Sequence, residues 1–89
     1  MKHAGDDALA ALDDLLAALR AVDGLTEKKR GVFYRKSSAF LHFHEDPAGL
    51  FADLRDGDEW TRLPVNTTRE RQGLLGRVRR VAGAPRRTT

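Results

Sequence analysis

The chain has 89 residues, no cysteine, 40% hydrophobic residues and a formal net charge of +3. That length gives one domain, because domains typically hold ~100–150 residues and a shorter chain has no spare core to divide. Without cysteine there are no disulfides and no thiolate zinc sites, and no apolar run approaches the ~18 residues that span a bilayer.

The start, Met1-Lys2-His3-Ala4-Gly5-Asp6-Asp7, turns acidic at once, and Asp13 and Asp14 break the leucine-rich stretch behind it. That is not the pattern of a secretory signal, so a soluble cytoplasmic protein with no membrane partner is expected. The charge is uneven. Residues 1–25 sum to −3, residues 26–66 to zero, and residues 67–89 to +6, with seven arginines against Glu70. The basic character belongs to the C-terminal segment.

Residues 6–22 read as a helix. Leu9, Leu12, Leu16 and Leu19 mark one face, and Ala8, Leu15 and Val22 widen it. Asp6 or Asp7 is expected to cap it, and Asp23-Gly24 to end it. Residues 1–5 are expected to be a disordered lead-in, and Thr26 to Gly31 a charged connection. Three strands are predicted next, Val32 to Lys36, Ala39 to Glu45 and Leu50 to Arg55.

Asp46-Pro47-Ala48-Gly49 between the last two places Asp, Pro and Gly where a type I turn prefers them. Asp56-Gly57-Asp58 makes a further turn, and Trp60 to Val65 suits a short edge strand because Pro64 cannot donate to a ladder. Thr67-Thr68-Arg69-Glu70 matches a capping box that opens a second helix running to about Ala82. Gly83 to Thr89 is expected to be a disordered basic tail. The fold class is therefore α+β: helix, three- to four-stranded antiparallel sheet, helix, in two layers with one open sheet face.

Two turns fix a register. With Ser37-Ser38 as a hairpin turn, Phe33 faces His42 and Arg35 faces Phe40. With Asp46 to Gly49 as the second, His42 faces Asp53, His44 faces Phe51 and Phe40 faces Arg55. Val32, Tyr34, Leu41, Phe43, Leu50, Ala52 and Leu54 then share a core face that both helices cover. The other face carries Phe33, Arg35, Phe40, His42, His44, Phe51, Asp53 and Arg55. An exposed patch with three phenylalanines marks a binding surface.

Several chemistries compete for that surface. His42, His44 and Asp53 have the residue types of a His-His-carboxylate metal site, but the neighbouring phenylalanines argue for packing, and neither metal nor cofactor is expected. A small-molecule or metal-dependent enzyme centred on those three residues is one alternative; no nucleophile elbow or phosphate loop accompanies them. Phenylalanines beside Arg35 and Arg55 suit stacking on single-stranded nucleic acid, and Arg69, Arg71, Arg77, Arg79, Arg80, Arg86 and Arg87 offer a second nucleic-acid surface. A solvated basic helix end is the preferred account of those arginines.

The stretches Lys29-Arg30-Gly31-Val32-Phe33-Tyr34-Arg35-Lys36-Ser37, Phe40-Leu41-His42-Phe43-His44-Glu45-Asp46 and Phe51-Ala52-Asp53-Leu54-Arg55 resemble those of a group of small bacterial proteins. The order of elements is similar to that of the double-wing and luciferase-associated small domains. The resemblance spans roughly residues 20–82 and implies a leading helix, a short curved sheet and a closing helix, with no functional residue carried over. The function expected is a non-enzymatic binding or interaction module, homodimeric or partner-binding through the aromatic and ionisable face.

Overall fold

Leucines at every third or fourth position give the first segment one apolar stripe. The computed structural model, which describes residues 2–83, folds that segment into α1 (Asp6–Ala11) and α2 (Asp13–Arg20). The break at Leu12 does not disturb the stripe: Leu9, Leu12, Leu15, Leu16, Leu19 and Val22 all enter the core. The expected aspartate caps are absent. Gly5 is the N-cap of α1 and makes no side-chain cap bond; its amide instead donates to Glu45 Oε2 at 2.6 Å.

Six strands form one antiparallel sheet: β1 (Lys2–His3), β2 (Leu25–Lys29), β3 (Val32–Arg35), β4 (Ser38–Asp46), β5 (Gly49–Asp56) and β6 (Glu59–Pro64). Their order is β2-β3-β4-β5-β6, with β1 paired to β4. The α+β class holds, but the three or four strands expected become six. Thr26 to Lys29, expected as a connection, is the edge strand β2. Its alternation is masked by charges, which on an edge discourage pairing with other chains.

Residues 1–5 are likewise not all lead-in. Lys2 pairs with Glu45 and His3 with His44, and the Ala4 amide donates to the Phe43 carbonyl at 3.1 Å. The expected tail, residues 83–89, lies outside the described residues apart from Gly83. Gly83 closes a π-helical turn, Arg79–Gly83, that continues the last helix.

The β4–β5 register is the one expected, with His42 opposite Asp53 and His44 opposite Phe51. Asp46 pairs with Gly49, and Asp46 Oδ2 accepts from the Ala48 amide at 2.9 Å. The β3–β4 register differs. The turn residues are Lys36 and Ser37, with φ of 54° and 68°, so Arg35 pairs with Ser38. Positive φ at both central positions is the type I′ geometry, which twists with the strands of a hairpin.

A bulge then separates the Phe33↔Leu41 and Tyr34↔Ala39 pairs, leaving Phe40 as the extra residue. Together these shifts turn β3 over. Phe33 is 0% exposed and Phe40 only 4%, both in the core, while Val32 and Tyr34 are half-buried.

The core therefore lies on one side of the sheet, where Phe33, Phe40, Leu41, Phe43, Ala52 and Leu54 meet the leucines of α1 and α2 and Leu74 and Val78 of α3 (Thr68–Val78). The predicted capping box opens α3. Thr67 Oγ1 accepts from the Glu70 amide at 3.0 Å, and Glu70 Oε1 accepts from the Thr67 amide at 3.1 Å. Arg71 ties α3 to the rest, donating to the carbonyls of Val65 at 2.8 Å and Ala11 at 3.2 Å. No helix among the described residues is long and apolar enough to cross a membrane.

Candidate functional site

Alternation sends every second residue of β4 and β5 away from the helices. Leu41 and Phe43 point into the core, so His42 and His44 face the other way. Leu54 and Ala52 do the same for Arg55, Asp53 and Phe51. β6 continues the row, with Arg62 opposite Asp53, Trp60 opposite Arg55 and Pro64 opposite Phe51. β1 adds His3 opposite His44. All the described helices bury their apolar residues in the core on the opposite side.

Of the residues expected on this face, His42, His44, Phe51, Asp53 and Arg55 are there. Phe33, Arg35 and Phe40 are not. The turned-over β3 buries Phe33, and the bulge swings Phe40 inward. Arg35 goes to the helix side, where it lines a groove with Arg77 and Arg80 and lies 5.9 Å from the Phe40 ring. The patch of three phenylalanines is thus reduced to Phe51, which is half-buried.

Three residues join instead. His3 had no sequence signal, because a two-residue strand carries no periodicity. Arg62 and Trp60 arrive through the β5–β6 hairpin, whose two-residue turn Gly57-Asp58 pairs Asp56 with Glu59 and so sets Asp53 opposite Arg62, where the sequence suggests the longer turn Asp56-Gly57-Asp58.

The centre of the face is an ionisable cluster. Arg62 grips Asp53 with two donors, Nε to Oδ1 at 2.7 Å and Nη2 to Oδ2 at 2.9 Å. That paired hydrogen bond holds the Asp53 carboxyl below the ordinary carboxylate range, against the opposing pull of burial. Asp53 is 8% exposed and is the one buried charged residue among those described.

Asp53 Oδ2 also lies 2.9 Å from His44 Nε2. That same nitrogen is 3.0 Å from His42 Nδ1. Burial lowers the pKa of His42, and the neighbouring His44 adds to the effect against the opposing pull of Asp53.

The three imidazoles crowd together at tilted and edge-on angles. Ring centroids are 4.9 Å apart for His42 and His44, 5.0 Å for His3 and His44, and 5.7 Å for His3 and His42. Trp60, 44% exposed, lies 5.0 Å from the His42 ring, and the Arg55 guanidinium sits 5.9 Å over the indole. The face therefore combines a flat aromatic, two guanidinium groups and three imidazoles around one carboxylate. Comparison of the chain with protein-family models, curated proteins and solved structures finds no match.

Proposed function

We propose that the chain is a non-enzymatic binding module that works through this uncovered sheet face, with a second copy of the chain as its occupant. Trp60 carries the reading. It is the one large hydrophobic residue left exposed among those described, on the face away from the helices, flanked by Arg55 and His42. Tryptophan and arginine are the side chains that most often anchor protein interfaces, in a patch low in lysine. Asp53 and Arg62 are paired with each other within the chain, so covering them with a second copy leaves neither charge uncompensated.

Sedimentation equilibrium over a wide concentration range tests this. Association that strengthens with concentration and is lost in Trp60→Ser supports it; a strict monomer at the highest concentration contradicts it.

One observation favours a second reading, nucleic-acid binding on the other side of the domain. Arg35, Arg77 and Arg80 converge on a groove with Asp56 and Gly57. Arg71, by contrast, is committed to backbone carbonyls, and Arg86 and Arg87 lie outside the described residues. Phosphate contacts give a steep salt dependence, about −0.9 in log K per log salt for each phosphate neutralised on a duplex. Absence of oligonucleotide binding at low salt removes this reading.

A further inference from the structure

We propose that His3, His42 and His44 form a binding site for a divalent transition-metal ion of the zinc class, at the centre of the face assigned above to binding. One ligand atom from each ring lies within 4.8 Å of the other two. A tetrahedral ion with ~2.0–2.1 Å bonds to nitrogen sets its ligand atoms about 3.3 Å apart. His42 Nδ1 and His44 Nε2, at 3.0 Å, are already close to that edge length. His3 is exposed on a two-residue strand and has the freedom to close the rest of the gap.

One ring nitrogen sits at the centre of the cluster. His44 Nε2 faces both His42 Nδ1 at 3.0 Å and Asp53 Oδ2 at 2.9 Å. A neutral imidazole nitrogen carries a hydrogen or a lone pair, never both in the ring plane. With a hydrogen on Nε2, His42 and Asp53 compete for it. With a lone pair there, the Asp53 carboxylate faces an electron pair. In the first case Arg62 Nη2, 2.9 Å away, still satisfies Asp53 Oδ2, so the hydrogen on Nε2 can go to His42.

His44 Nδ1 is buried as well, with no protein partner. Half-satisfied polar groups at such low exposure are costly. A cation among the three rings takes up the lone pairs of His42 Nδ1 and His44 Nε2 together.

The surroundings add a fixed carboxylate: Asp53 Oδ2 lies 2.9 Å from the same His44 Nε2 that would face the ion, and Arg62 holds that carboxylate with two bonds. The β1 segment is pinned beside β4 by the bonds from Ala4 to Phe43 and from Gly5 to Glu45. Three imidazoles suit zinc and its transition-metal neighbours and disfavour calcium and magnesium. Three protein ligands also leave a fourth position for an outside group.

The test is titration of the full chain with Zn²⁺ by calorimetry and with Co²⁺ by visible absorption. Both ions suit a site built of imidazoles. One ion per chain is expected, with the intense visible bands of four-coordinate Co²⁺.

His42→Gln should weaken Zn²⁺ binding by more than the about 10–100-fold that loss of an outer-shell partner costs. His3→Gln should weaken it too while leaving the circular dichroism and urea midpoint of the metal-free protein unchanged, since the His3 side chain packs in no core. No uptake by the wild type, or uptake indifferent to both substitutions, overturns the proposal.

The inference rests on the reading that this face is the working surface, and sedimentation of the same samples separates the two. A dimer without metal uptake sinks only the metal site, and uptake by a strict monomer sinks only self-association.

Discussion

On one side of the sheet, Phe33, Leu41, Phe43, Ala52 and Leu54 pack against leucines of α1 and α2, and that core cluster contains no polar residue. On the other side, the same strands bring His42, His44, Asp53 and Arg62 into contact, with His3 and Trp60 against them. The first side is satisfied: apolar area is out of water, and each residue reinforces its neighbours. The second buries the Asp53 carboxylate and leaves His44 Nδ1 without a protein partner. Packing alone does not require a buried, unpartnered imidazole nitrogen, and such departures occur at working sites.

Substitutions can break or sharpen this contrast. The largest effect is expected at Phe33, fully buried on the helix side. Phe33→Ala should cost about 3–5 kcal/mol in urea unfolding. A loss below about 1 kcal/mol would place Phe33 on the open face and erase the distinction between the sides.

Next is Asp53→Asn, which removes the charge that Arg62 grips. Hydrogen bonds to charged groups contribute about 1.5–3 kcal/mol, so a loss in that range is expected.

The same residue sets part of the acid response. Asp53 and Glu27 both have lowered pKa values in the folded chain, through Arg62 and Arg20 respectively. The folded state then binds fewer protons than the unfolded state in the acid range. Their stabilisation is present in full above the ordinary carboxylate pKa of about 4 and is lost as pH falls through the lowered folded values. Unfolding measured from pH 7 to pH 2 should show that decline, shallower in Asp53→Asn; equal slopes would remove Asp53 from the account.

Thr67→Ala should cost about 1 kcal/mol through the helix cap, with no effect on either face. The smallest effect on stability is expected at Trp60, where Trp60→Ser should stay within about 0.5 kcal/mol. A larger loss would make Trp60 a packing residue and not a binding one.

Some of this was legible in the sequence. The helix stripe from Leu9 to Val22 and the Thr67–Glu70 capping box depend on local spacing, and both appear as read. Asp46-Pro47-Ala48-Gly49 set the β4–β5 register because its residues have strong turn preferences, and so the pairing of His42 with Asp53 was visible in advance.

Lys36-Ser37 gave no such signal. Neither residue favours the positive φ it adopts, and the turn expected at Ser37-Ser38 is a one-residue slip from the turn the chain makes. That slip, with the bulge at Phe40, misplaced Phe33, Arg35 and Phe40. His3 was beyond reach for a different reason: its position depends on long-range bonds from Ala4 and Gly5 to β4. Without His3 the histidines looked like a strand pair, and with it they become a three-sided cluster.

The most direct test of the two-sided account is an amide and histidine-ring ¹⁵N chemical-shift map of the full chain as Zn²⁺ is added. The account predicts that the rings of His3, His42 and His44 shift together at one equivalent, with amide changes confined to β1, β4, β5 and β6 around Asp53. Shifts centred on the acidic first turns of α1 and α2, or a response from His3 alone, would contradict it.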